Sequence, residues 1–515
     1  MAPTAAKTTN DISSSIDLSS IAPFYKRKNG ILLYLLLTTS LLSSFASGFD
    51  GSQTNAMQLL PIWQEKFGNP TGSTLGLFGA STSIGGLVPL IFFNWMGDYF
   101  GRRVPTAVGA LIIIVGALVE LFSSTLSMFI GGKVVIGLGS TMVQLGAPVL
   151  VTELTHPKER AKVTTVYNTG VYLGYVIGAW VTFGCIKINT DWQWKLPTLL
   201  QVIPSVYQLT LLWFCPESPR WLIAKGKEDQ ARAILVKYHG ECDPNSELVG
   251  IEMSEIIEAQ AREAAANVSW AAFFSSKANW RRIFLCTCVA TFSQTTGNLL
   301  VSNYLAKILK DTGLDSTFDS TLINGMSTLW SYICSLAVAG FVDRFNRRTF
   351  FLTGSIGSLV VFVAWTIAAQ QYVDEGSIAA GRFIVACIFL FQAFYTIGWL
   401  NFVVTYPLEI VTYQMRAKAW SYVLLVIQAS QIFGNYVNPV ALENIGWHWY
   451  IYYCVWIACI VAIVYFFFVE TRGPTLEEIA VIFDGPNAYP SAEKHSFLNG
   501  TEKATHLELS HVEKV

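Results

Sequence analysis

Charge is what this sequence has least of. Only 13% of its 515 residues are Asp, Glu, Lys or Arg, against 52% hydrophobic. A soluble chain carries roughly twice that charged share. The net charge of −1 gives no electrostatic basis for binding nucleic acid. Alternating polar and apolar strands are absent, which argues against a membrane barrel. The nine cysteines lie mostly in apolar runs without metal or disulfide spacing, so they read as packing residues. No nucleophile–base set, metal-ligand cluster or nucleotide loop stands out; the lone Gly137-Leu138-Gly139 is not one. Neither enzyme activity nor a metal or cofactor is expected. No cleavable leader is visible.

Long apolar runs are abundant instead. Twelve of them, each about 20 residues, are long enough to cross a hydrocarbon core of about 30 Å as helix. They fall at 31–49, 75–95, 104–122, 127–150, 163–184, 196–214, 283–305, 321–341, 349–369, 380–405, 417–437 and 449–469. The expectation is an all-α membrane protein of twelve transmembrane helices.

The few charges are ordered, and the order repeats. Asp98 precedes Arg102 and Arg103; Asp343 precedes Arg347 and Arg348 at the same spacing. Glu153 is followed by Arg160, and Glu409 by Arg416, again at one spacing. The chain therefore reads as two related six-helix halves, which suits a machine rocking about a central site. The boundaries are a tail at 1–28, a first half at 29–215, a helical linker at 216–282, a second half at 283–472 and a tail at 473–515. The linker is charged, with helical patterns at Glu228–Tyr238 and Ile251–Ala266, and the last tail is polar.

Basic residues set the expected orientation. Lys26-Arg27-Lys28, Arg102/Arg103, Lys158/Arg160/Lys162, Arg281/Arg282, Arg344/Arg347/Arg348 and Arg416/Lys418 fall on one side. Both termini and the linker are then cytosolic. The sequons at Asn267 and Asn499 would face the cytosol and stay unglycosylated.

Several side chains suggest chemistry. Asp50, in Gly48-Phe49-Asp50-Gly51, ends span 1, where an ionisable group near hydrocarbon is expensive and a functional candidate by default. Asp98, Arg102, Glu153, Arg160 and Glu217 in one half, and Asp343, Arg347, Glu409, Arg416 and Glu470 in the other, form a candidate cytosolic gate. Several ion pairs together bias a two-state equilibrium by a few kcal/mol, although an exposed pair contributes only about 0–1. Polar side chains inside apolar spans are candidate binding groups. Gln294 and Asn298 lie four apart on span 7, and Asn435 and Asn438 three apart on span 11. Amides both donate and accept, which suits a ligand rich in hydroxyl groups. The alternative for each is a bond between helices. Trp399 and Tyr304 are candidate stacking surfaces.

From Gly48 to about Glu478 the chain resembles the sugar porter family of the major facilitator superfamily. The resemblance rests on Gly97-Asp98-x-x-Gly101-Arg102-Arg103, Glu153 with Arg160, and Pro216-Glu217-Ser218-Pro219-Arg220-Trp221-Leu222. It rests also on Tyr406-Pro407-Leu408-Glu409 with Arg416, and on Glu470-Thr471-Arg472-Gly473. Asn168-Thr169-Gly170, Ala179–Gly184, Gln294-x-x-Gly297-Asn298 and Asn435-x-x-Asn438-Pro439 are similar to a fungal branch that includes lactose and cellodextrin permeases.

The resemblance implies a major facilitator fold and a carrier for a hexose, disaccharide or related polyol. It implies proton symport, with Asp50 as proton site paired to the cation of span 4, here Lys133. Asn168 stands where many relatives use a span-5 Gln. A monomer in the plasma membrane is the family default. The alternatives are an exporter of a polar or glycosylated metabolite and a non-transporting sugar sensor. Departures cluster on the expected pocket. Lys133 and Lys195 replace arginines, Ser293-Gln294 a glutamine pair, Leu299 an Asn, Asn303 a Tyr, and Val404 stands where a stacking Trp is usual. They weaken an ordinary glucose carrier more than they weaken a carrier.

Overall fold

A backbone in hydrocarbon must satisfy its own N–H and C=O groups, and the helix does this within one segment. In the computed structural model each of the twelve apolar windows is largely helical, with breaks inside those at 196–214, 283–305 and 380–405. The structure describes residues 24–484, apart from 267–272, 275, 312–315, 342–343, 413–414, 473–478 and 480–481. The first half holds α1 (Lys28–Ala56), α2 (Gly72–Phe100), α3 (Arg103–Leu121), α4 (Leu126–Leu154), α5 (Arg160–Cys185) and α6 (Trp192–Leu200, continued by Val202–Leu211). The second holds α7 (Lys277–Thr295, continued by Asn298–Asp311), α8 (Thr317–Phe341), α9 (Arg347–Glu375), α10 (Ile378–Tyr395, continued to Ile410), α11 (Arg416–Ile445) and α12 (His448–Phe467). Most of these helices outrun their windows at both ends, because hydropathy reports the hydrocarbon-embedded part and not the capped ends. The start of α7 falls inside the stretch read as linker.

Among the described residues, eight helices are long and apolar enough to cross a membrane on length and composition alone. The others, α5, α6, α7 and α11, are more polar or broken, and three of them carry the candidate amides. The break in α7 falls at Thr296-Gly297. Gly297 has φ +102°, and a Cβ there would sit 2.5 Å from the Phe362 ring. Only glycine fits both the turn and the approach.

Three short linker helices, Pro219–Ala224, Glu228–Tyr238 and Glu247–Ala266, pack through Leu222, Ile223 and Ala231. The second has the expected bounds; the third begins before Ile251. His239 ties them to the first half, with Nε2 at 3.1 Å from the Leu154 carbonyl and Nδ1 at 2.7 Å from Glu252. The bundle end carrying the linker is called the linker face here, and the other the far face.

The main contacts between halves are α2 with α11 and α5 with α8. Hydrogen bonds cross between halves at Asn55–Asn324 (2.7 Å) and from Gln58 to the Asn303 carbonyl (2.9 Å), both near the far face. Others cross at mid-depth, from Ser83 to Gln431 (2.9 Å) and from Gln428 to Thr141 (3.3 Å). Among the described residues no ion pair joins the two halves. The halves are therefore held together from the far face to mid-depth.

Candidate functional site

At the linker face the repeated charge pattern becomes repeated geometry. In the first half Arg102 lies 3.6 Å from Asp98 and 3.8 Å from Glu153. The backbone N–H groups of Arg102 and Arg103 donate to Glu217 at 3.0 and 3.3 Å. The Ser218 hydroxyl donates to Glu153. In the second half Arg347 lies 3.5 Å from Glu409. The N–H groups of Arg347 and Arg348 donate to Glu470 at 2.8 and 3.0 Å, and the Thr471 hydroxyl donates to Glu409 at 2.5 Å. Glu217 and Glu470 thus cap the N-termini of α3 and α9 from outside those helices, satisfying free N–H groups and facing the positive helix end. Asp98 is largely exposed, so its pair contributes little. Arg160 is exposed at the start of α5, and half-buried Arg416 starts α11. Asp343 lies outside the described residues.

A further ionic contact at this face had no motif to mark it. Arg27 is 3% exposed, and its Nη2 donates to both oxygens of Glu159 at 3.1 and 3.0 Å. Glu159 also accepts from the Tyr34 hydroxyl and the Phe24 N–H. The basic cluster that marks topology therefore also fastens the entry to α1 onto the α4–α5 turn.

Deep in the first half, Asp50 and Lys133 come together. Both are buried, with Lys133 Nζ 2.7 Å from Asp50 Oδ1. The Gln201 amide, at the break in α6, donates to the same oxygen at 3.1 Å. Close helix approach puts Asp50 there. A Cβ on Gly48 would lie 1.9 Å from the Val171 carbonyl oxygen, and one on Gly174 2.1 Å from that of Phe45. A third ionisable side chain shares the site: Glu120, with no exposure, lies 3.8 Å from Lys133 Nζ. The rule that singled out Asp50 also applies to Glu120, an acid inside the window 104–122. Above the cluster, toward the far face, Trp63, Phe67, Phe78, Phe129 and Trp194 pack edge-on or tilted, joined by Tyr304 of the second half.

The candidate amides separate into two groups. Asn168 is exposed on α5 and shares its helical stripe with Tyr172 and Tyr175. Gln294 and Asn298 are half-buried on α7; Gln294 accepts from Gln431 at 3.3 Å, and Asn298 accepts from Ser302 at 3.0 Å. Asn435 and Asn438 are buried. The side-chain oxygen of Asn435 accepts from Asn303 at 2.7 Å, and its carbonyl accepts from Tyr304 at 2.5 Å. The side-chain oxygen of Asn438 accepts from Trp449 at 3.0 Å and Tyr453 at 2.6 Å, both on α12. The stacking candidates are not available for stacking here. Trp399 is fully buried in the second-half core, and Tyr304 lies beneath the aromatic cluster.

Two six-helix halves with matching charge clusters, around polar helices, define a multi-pass membrane carrier of the major facilitator fold. Residues 35–483 match the family described as sugar (and other) transporter, and the chain belongs to that family. It is a transporter and not an enzyme. The sugar transporter STL1 of Saccharomyces cerevisiae is 28% identical over 79% of this chain and 72% of its own length. The MFS-type transporter criB of Aspergillus cristatus is 25% identical over 86% and 91%. Among solved structures, the inward open conformation of the xylose transporter XylE from E. coli superposes with a TM-score of 0.72 at 18% identity. It covers 88% of this chain and 100% of its own.

Proposed function

We propose that the protein imports a sugar, a hexose, disaccharide or related polyol, by alternating access coupled to proton symport. The family and relatives named for sugar transport support the substrate class. A structural neighbour titled as a proton:xylose symporter agrees with the coupling. The observation that carries the reading is the buried Asp50–Lys133 pair below an aromatic seal. Breaking such a pair by protonation removes an attraction that low polarity makes strong. The cost of changing the pair's charge state can therefore be linked to which face is open.

In this reading the linker face and both termini are cytosolic, and the membrane is the plasma membrane. The aromatic cluster at Trp63, Phe78 and Phe129 closes the outer route, and the structure corresponds to the inward-facing state. The Arg102 and Arg347 clusters are the gate, brought together when the halves rock to open outward. Asn168, Gln294, Asn298 and Asn435 offer sugar contacts, Asn438 of α11 supports them through its bonds to Trp449 and Tyr453 of α12, and the working unit is the monomer. The test is expression in a yeast without its own sugar carriers. Labelled uptake is measured over hexoses, pentoses, disaccharides and polyols, with and without a protonophore. Accumulation of one class that the protonophore abolishes is expected. Accumulation of none would overturn the reading.

A further inference from the structure

We propose that Glu120 is a second proton-binding carboxylate of the coupling site, so that Asp50 and Glu120 share one proton around the single cation Lys133. The inference deepens the symport reading and rests on it for its role in transport. Its basis is a count of charges in a closed space. Glu120 has no exposure, Lys133 has none and Asp50 4%. Two carboxylates and one ammonium leave the fully ionised cluster one negative charge in excess. An uncompensated buried charge is strongly destabilising. One bound proton makes the cluster neutral.

The geometry says which acid holds that proton here. Asp50 takes the short contact with Lys133, 2.7 Å, and a second bond from Gln201, 3.1 Å. Those are the surroundings of an ionised carboxylate. Glu120 lies 3.8 Å from Lys133, and neither of its oxygens has a hydrogen-bond partner among the described residues. A buried anion without a hydrogen bond is the costlier arrangement. The proton therefore sits on Glu120 in this state.

Every element around Glu120 agrees. The charged groups facing it are Lys133 from α4 and Asp50 from α1. The buried polar side chains of the broken α6, Gln193, Thr198, Gln201, Ser205 and Gln208, are all uncharged. Tyr175 of α5 faces Asp50. No second cation is present among the described residues to balance Glu120. The site is tightly enclosed on this side too, because a Cβ on Gly132 would lie 2.7 Å from Glu120 Cγ. Lys133 suits the arrangement. Its ammonium is a compact charge on a flexible stem with three donors. It can lean from Asp50 toward Glu120 as the helices move, passing the proton from one acid to the other. The proton leaves the carboxyl O–H of one acid and forms an O–H on the other, and the cluster stays neutral throughout.

Infrared titration of the purified full chain in proteoliposomes tests this directly, with buffer protons as the ligand. A protonated carboxyl gives a C=O stretch that its carboxylate lacks. The wild type should show such a band, lost on moving to alkaline pH. E120Q should lack it, and E120D should restore it at a shifted frequency and with a shifted pH midpoint. A wild-type band unchanged in E120Q overturns the proposal, whatever transport does. In cells, E120Q should reduce accumulation to equal concentrations inside and out, while E120D recovers part of it. Undiminished accumulation by E120Q would also overturn the proposal. If the wild type itself accumulates no sugar of the panel, the symport reading fails, and the infrared band still decides whether Glu120 holds the proton.

Discussion

The linker-face ends of the two halves are nearly copies; their membrane interiors are not. Arg102, Glu153, Glu217 and Ser218 in the first half occupy the roles of Arg347, Glu409, Glu470 and Thr471 in the second. At membrane depth the first half buries Asp50, Glu120 and Lys133. The second half buries amides and aromatics, with Asn435, Asn438, Trp365 and Trp399 among them. The difference suits the proposed division of labour. A rocking machine needs the same device at each hinge end, so both copies keep it. Energy coupling needs one titrating site, and a sugar needs uncharged donors and acceptors. On the proposed reading the titrating site falls to the first half and most of the candidate amides to the second.

The largest expected effect breaks the comparison at its charged side. Asp50→Asn should abolish accumulation against a gradient and leave downhill movement or exchange. One charge moving through about 100 mV gains roughly 2.3 kcal/mol, and one pH unit adds about 1.4. Together they concentrate substrate several hundredfold, since about 1.4 kcal/mol is tenfold. The measurement is the inside-to-outside ratio of labelled sugar with and without protonophore. A variant that still accumulates would make Asp50 a structural or gating acid.

The next test concerns the likeness itself. Arg102→Ala and Arg347→Ala should each slow transport at least about tenfold, the effect of about 1.4 kcal/mol on a barrier, with insertion intact. If the copies are equivalent, the two losses match within a small factor. Uptake is scaled to surface protein, and normal rates in both variants would remove the gating role.

A smaller effect belongs to the amides of the second half. Gln294→Ala should raise the half-saturation concentration about 5- to 150-fold, because a lost hydrogen bond in a dry site costs about 1–3 kcal/mol. Asn438→Ala should act differently. It releases Trp449 and Tyr453 and should lower thermal stability more than affinity. Equal affinity losses in both variants would place Asn438 in the pocket.

The legible and illegible parts of this molecule divide along physical lines. Twelve apolar windows predict twelve helices because lipid leaves the backbone little alternative. Repeated spacing predicts the paired clusters because charges at helix ends stay at helix ends. The caps that Glu217 and Glu470 place on α3 and α9 were less visible, since capping by a remote segment has no local signature. The direction of an amide was least visible. Asn435 and Asn438 lie three apart on a helix with neighbours on several sides, so spacing cannot say whether they turn to the cavity or to α7 and α12. Glu120 needed its partners' positions, since a single acid in an apolar window does not reveal that two others converge on it.

The smallest effect sharpens a difference between the copies at the linker face. Aligning Glu153 with Glu409 sets His156 against Thr412, and Glu159 against Met415. Only the first half therefore has an imidazole in this turn. His156 is 1% exposed, its Nδ1 accepts from the Lys158 N–H at 3.2 Å, and its ring lies 5.2 Å from that of His239. Burial foremost, then His239, Arg27, Lys158 and Arg160, push its pKa from 6.5 down to about 3. The folded chain thus keeps His156 neutral where the unfolded chain binds a proton. The stability linked to this residue is present above the usual imidazole value of 6.5 and is lost as pH falls from there toward about 3. The slope is at most about 1.4 kcal/mol per pH unit. His156→Gln removes the titrating group and should flatten that part of the acid sensitivity. Thermal inactivation of the detergent-solubilised protein, followed from neutral to mildly acidic pH, measures it. Thr412→Gln in the second half should leave the profile as in the wild type. An H156Q profile as steep as the wild type's would show that another group carries the acid sensitivity, and that the two turns differ in sequence but not in titration.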